Sequence, residues 1–280
     1  MSRAVKTIGA TMRAAPHAHL AVLFRSIDRY REFAEAQDRL DDSNAAGHYA
    51  AQAKRCAFAA PVPSPALRRA LEWRDGAIAG ASAGPGIASS ASRRAAIDEA
   101  VDDLRQRMRR LTAHEAAHQV LFERGVHPEG GRCPAWLAEG LACCFETERS
   151  IGDFGPGFDV PSRRERLERA MHGERLRPLA ALVASGSRPR GGTEECLDWY
   201  SHSWGIVDWL ATERPQALAD YLGSLAKTTP WRAAVRIGEF EKAFGPITEL
   251  ERAWLEHWRP RVDERRCATQ ARRPAARTAT

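Results

Sequence analysis

The stretch LTAHEAAHQVLF, residues 111–122, lies inside a longer run in which Val101, Leu104, Met108, Leu111, Glu115, His118 and Phe122 recur three and four residues apart. That spacing predicts one amphipathic helix, beginning near Arg93 and stopped by Gly125. Within it His114, Glu115 and His118 form an H-E-x-x-H pattern. Side chains four residues apart on a helix stand on one face, one turn above the other, so the two imidazoles can approach a single cation. Glu115 is turned about 100° from His114 and reaches the open side of that cation without becoming a ligand. The bland alternative is a chance match on a helix whose histidines only satisfy hydrogen bonds.

Upstream of this helix, HLAVLF (residues 19–24) is a short apolar run that suits a buried strand. Ser26 to Leu40 has Ile27, Tyr30, Phe33 and Ala34 on one side and predicts an amphipathic helix. The segment from His48 to Pro61 predicts one or two short strands with a turn. GAIAGASAGPGIASSAS, residues 76–92, is nearly all small residues and reads as a flexible loop.

Downstream, Pro134 opens a helix expected over 135–146, because proline suits the start of a helix. Residues 151–161 and 188–193 read as loops, and Arg163–Met171 as a charged helix. Leu176–Val183 is a short apolar piece. Cys196–Leu210 reads as a helix carrying Trp199, Tyr200, Trp204 and Trp209. Helical patterns continue over 215–225 and 240–258. The fold class is therefore α+β. An N-terminal extension (1–18) precedes a small strand and helix region (19–75), the small-residue loop (76–92) and a mostly helical part (93–262). A basic, disordered tail (263–280) follows.

Two imidazoles need a third protein ligand to make a metal site with an open position. The segment PAWLAEGLA, residues 134–142, places Glu139 between Leu137 and Leu141 in an apolar helical stretch, where a carboxylate is costly unless a cation compensates it. An ordinary helix-surface glutamate is the alternative.

Composition narrows the function classes. The chain carries 42 Lys and Arg against 36 Asp and Glu, a net charge of +6 supplied mostly by arginine. No basic segment is interleaved with aromatics, so a solvated arginine-rich surface is expected and no specific nucleic-acid partner. The six cysteines include no C-x-x-C pair, which argues against a zinc ribbon and for free thiols. No apolar run is long enough to cross a bilayer, and no secretory signal is visible. A cytoplasmic location is the expectation as the sequence stands, and a periplasmic or secreted one if a segment precedes Met1.

HEAAH followed after 20 residues by the glutamate of PAWLAEGLA resembles the gluzincin metallopeptidases of the peptidase-MA type. The likeness is closest to bacterial HExxH-containing domains of that group, which remain largely uncharacterised. Weaker similarities, in LFRSIDRYREF, GHY, WYSHSWGIVDWL and FEKAFGPITELERAWLEHW, extend it over residues 19–258. The resemblance implies a zincin-like fold with Zn2+ as cofactor. His114, His118 and Glu139 would be its ligands, Glu115 the general base, and a peptide or protein the substrate. Relatives place a Tyr or His oxyanion donor on a later helix. Tyr200, about sixty residues beyond Glu139, fits that place, with His202 second. Asp198 or Asp208 is then available to orient a ligating imidazole. Three features depart from the family: no export signal is seen, the small-residue stretch looks like an expansion, and Cys143 and Cys144 stand where a bulkier side chain is expected. A non-catalytic zincin-like domain serving as an interaction module is the alternative.

Overall fold

The computed structural model describes residues 14, 18–40, 45–79, 87–127, 133–147, 154–189, 193–225, 227 and 233–271. These fall into two compact units, one within Ala15–Glu123 and one within Arg124–Thr280. The fold is α+β and mostly helical, with one small sheet near the N-terminus.

In the first unit, β1 (Leu20–Phe24), β2 (Gly47–Ala50) and β3 (Arg55–Ala59) form a sheet in the order β1-β3-β2. β1 runs parallel to β3 and β2 antiparallel to it. The helix α1 (Ile27–Asp38) starts where the sequence predicts, with the Ser26 hydroxyl accepting the Asp28 N–H at 3.2 Å. It ends at Arg39 in the left-handed region, φ 54°. Its Tyr30 and Ala34 close over Ala57 and Ala59 of β3, with Phe24, Ile27 and Phe33 packed around them.

Successive residues of a strand face opposite sides. Cys56 and Phe58 therefore point away from α1, toward α3 (Ile87–Glu123), the helix of the H-E-x-x-H pattern. On that side Tyr49 of β2 meets Phe122, ring centroids 5.8 Å apart. A Cβ on Gly47 would lie 2.8 Å from Phe58 and 3.2 Å from Leu111, so the strand approaches the helix only because residue 47 lacks one. The helix α2 (Pro65–Ala79) is tied to α3 by Arg93 over the Trp73 ring at 4.1 Å and by Arg74 with Asp98 at 3.2 Å.

Three expectations change here. The apolar run of β1 is an edge strand with Leu20 and Leu23 largely exposed, because β3 takes the centre of the sheet. The expected loop 76–92 is helical at both ends, through Ala79 and again from Ile87, and residues 80–86 lie outside the described residues. Alanine is the best helix former, so a run of small residues does not by itself stop a helix. Finally, α3 groups with the sheet and not with the helical part that follows.

Among its described residues the regular elements of the second unit are all helices: α4 (Ala135–Cys143), α5 (Pro161–His172), α6 (Leu179–Ala184), α7 (Thr193–Glu213), α8 (Pro215–Leu225), α9 (Ala233–Phe244) and α10 (Ile247–Ala271). α4 and α5 both pack on α7. Trp136, Trp204, Tyr221, Phe240, Trp254 and Trp258 fill its core. The helical pattern expected over 240–258 is found as two helices, α9 and α10, separated at Gly245, φ 93°, and Pro246, which a continuous helix does not accommodate. α10 reaches Ala271, into the segment expected as a disordered tail, while 272–280, the extension 1–13, and 151–153 and 190–192 of the expected loops lie outside the described residues. Among the described residues no helix is long and apolar enough to cross a membrane.

Candidate functional site

His114 and His118 stand on the buried face of α3, each 7% exposed, and their Nε2 atoms are 3.1 Å apart. Two nitrogens about 2.0–2.1 Å from one tetrahedral zinc stand about 3.3 Å apart. The observed pair therefore fits a shared metal position. The rings meet edge to face with centroids 4.8 Å apart, so both Nε2 atoms converge without stacking.

Glu115 is buried beside them, 9% exposed. Its turn of helix is fastened from the sheet. The Cys56 thiol donates to the Glu115 carbonyl oxygen at 3.3 Å, and the Gln119 amide donates to the Lys54 carbonyl oxygen at 3.2 Å. Burial, then the charges of Glu115 and Glu123, push the Cys56 thiol up to about 12, so it remains a protonated donor at neutral pH. Sequence reading passed over this anchor, since nothing in the spacing of 56 and 115 announces it.

In the second unit, Glu139 lies half-buried on α4 among Trp136, Leu137, Ala138, Gly140, Leu141 and Ala142, all buried. Gly140 fixes how closely α4 lies on α7. A Cβ there would stand 2.4 Å from the Ser203 carbonyl oxygen and 2.6 Å from Val207. Side chains three, four and seven residues apart share a helix face. Tyr200 therefore lies on the Ser203 and Val207 face of α7, the face turned to α4, about one turn before Ser203.

Tyr200 is half-buried, with the Trp199 ring edge-on at 5.3 Å and the Arg163 guanidinium 5.2 Å from its ring centre. Arg163 in turn makes two bonds to the buried Glu146, at 2.8 and 2.7 Å. This pair, 17 residues apart, also carried no signal in the sequence.

His202, the second choice for the donor, is two residues on and points to another face of α7. Its ring stacks on Trp254, 4.8 Å between centroids, beside a cavity of about 180 Å3 lined also by Arg175, Arg177 and Asp198. Burial, then the charge of Arg177, lowers its pKa to about 3, so the imidazole is neutral. Asp198 binds Arg175 at 3.0 Å and Arg166 at 3.4 Å, which turns it from a zinc-orienting role to an arginine clamp. Asp208 accepts the Gly157 N–H at 2.7 Å and so holds the loop before α5. Glu194 and Glu195, both exposed, lie in the first turn of α7 and pair with Arg166 and Arg177. His48 bonds Tyr30 and Asp38, and His127 bonds Cys133, in line with structural histidines.

No curated protein and no solved structure matches the chain. Residues 111–232 match the family model described as "Protein of unknown function (DUF1570)", a stretch that opens one turn before His114 and includes Glu139 and Tyr200.

Proposed function

We propose that this chain is a zinc-dependent hydrolase, a peptidase, in which His114, His118 and Glu139 hold the metal. The observation that carries the proposal is the pair of Nε2 atoms 3.1 Å apart on a buried helix face with Glu115 beside them. The half-buried carboxylate of Glu139, set in an apolar turn of α4, supplies the hard anionic donor that completes a three-ligand set. When bound, zinc acts as a Lewis acid toward a carbonyl oxygen and acidifies water.

Glu115 is the general base: it accepts the proton of the attacking water and returns it to the departing amine. Two fastenings, Cys56 to its carbonyl and Gln119 to Lys54, keep its turn of helix in place. Tyr200 donates its phenolic hydrogen to the oxygen that gains charge as the peptide carbonyl is attacked. Its position on the α4-facing side of α7 supports that role.

The test is hydrolysis of a quenched fluorescent casein by the zinc-loaded protein and its Glu115→Gln variant. The amide keeps the shape of the carboxylate and removes the base. The proposal expects cleavage by the wild type and loss of about 10²-fold or more in the variant with zinc content unchanged. A zinc-loaded wild type that cleaves nothing leaves the interaction-module alternative in its place.

A further inference from the structure

We propose that Arg163, held by Glu146, is a positioning residue that orients and polarises the Tyr200 phenol; this rests on the assignment of Tyr200 as the oxyanion donor. Arg163 lies in the first turn of α5 and Glu146 follows α4, so the pair links two helices that both pack on α7. The guanidinium uses Nε and Nη2 against the two carboxylate oxygens, at 2.8 and 2.7 Å. That fork fixes the plane of the guanidinium as well as its place. Its Cζ then sits 5.2 Å from the Tyr200 ring centre, inside the range of about 6 Å over which a cation is attracted to an aromatic face.

The pair is not explained well by stability. Both side chains are nearly out of solvent, 15% and 7% exposed. A buried ion pair returns little over apolar side chains of the same volume, because desolvating both charges offsets their attraction. What it does provide is a fixed positive charge against one ring. Burial opposes that charge, but Cys143, Glu146 and Tyr200 outweigh it and hold the guanidinium protonated. A cation on the ring face stabilises the phenolate relative to the phenol and so makes the hydroxyl a better donor to a developing oxyanion. The Trp199 edge, 5.3 Å away, limits ring rotation beside it.

Arg163→Met alone strands the Glu146 charge and risks misfolding, so the test uses the neutral pair R163M/E146Q beside R163K, which keeps the charge but not the fork. Tyrosine labelled with carbon-13 at Cζ reports the titration of the phenol directly, and Y200F assigns its resonance among the four tyrosines. The Tyr200 midpoint is expected to rise by about half a pH unit in R163M/E146Q and to move less in R163K. Turnover of the casein probe should fall about threefold with KM unchanged, and should fall no further when R163M/E146Q is placed on Y200F. An unmoved midpoint, or the same loss of turnover on the Y200F background, overturns the role of Arg163. Normal turnover by Y200F, with the midpoint still shifted, overturns the donor assignment instead.

Discussion

The thiol of Cys56 lies 3.3 Å from the carbonyl oxygen of Glu115, so the central strand of the sheet is bonded to the turn of helix that carries the proposed general base. The thiol's pKa rises from 9.0 to about 12 through burial, then Glu115 and Glu123. A raised folded-state value means that the folded chain binds the proton more tightly. The contribution is present in full below about pH 9 and is lost as pH rises through about 12. The urea midpoint of the wild type should therefore fall more between pH 9 and pH 11 than that of Cys56→Ala. Equal falls would mean that the thiol titrates as it does in the unfolded chain.

Gly140 and the Ser203 carbonyl define a second tight contact, 2.4 Å from an added Cβ. The obstacle is main chain, which cannot rotate away, so Gly140→Ala must push α4 off α7. We expect a loss of about 1–3 kcal/mol or more in urea denaturation, with weaker zinc binding because Glu139 moves with the helix. A variant as stable as the wild type would show that α4 has slack at this point.

His202 supplies a pH signature of its own. Its folded-state pKa is lowered from 6.5 to about 3, so the unfolded chain binds the proton first on acidification. The contribution is present above about pH 6.5 and is lost as pH falls toward 3. His202→Phe, which keeps the stack on Trp254, should flatten the decline of the urea midpoint between pH 6.5 and pH 4. An unchanged slope would remove His202 from the acid response.

For Tyr200 the expected effect of Phe is a fall in turnover on the order of 10²–10³-fold, as for lost oxyanion donors, with zinc affinity unchanged. Titrating zinc into the apo-protein separates the two. A Y200F variant that loses zinc and activity together points to a role in building the site rather than in the reaction.

How much of this was legible beforehand depended on whether the signal was local. The helix of His114 and His118 and the helix α1 were readable because their apolar residues keep a period over several turns. The helix α2, for which no element was expected, and the first turns of α3 were not, since alanines and serines carry no such period and yet favour helix. β1 looked like a buried strand because an apolar run says nothing of sheet order, and the order β1-β3-β2 is set by pairing across tens of residues. The same holds for the contacts around the candidate site. Cys56 with Glu115 and Glu146 with Arg163 are side chains distant in sequence that only packing brings together. Asp198 looked like a candidate zinc-orienting acid by position, but Arg175 and Arg166, more than twenty residues away, engage it.

The central claim is that His114, His118 and Glu139 hold one zinc ion. It is tested most directly by zinc stoichiometry, measured by inductively coupled plasma mass spectrometry on purified protein after zinc loading and gel filtration. The account predicts about one zinc per chain in the wild type and in Glu115→Gln, and far below one in His118→Ala and in Glu139→Ala, since three protein ligands are needed for tight retention. A folded Glu139→Ala variant that keeps a full equivalent of zinc, or a wild type that keeps none, would contradict it.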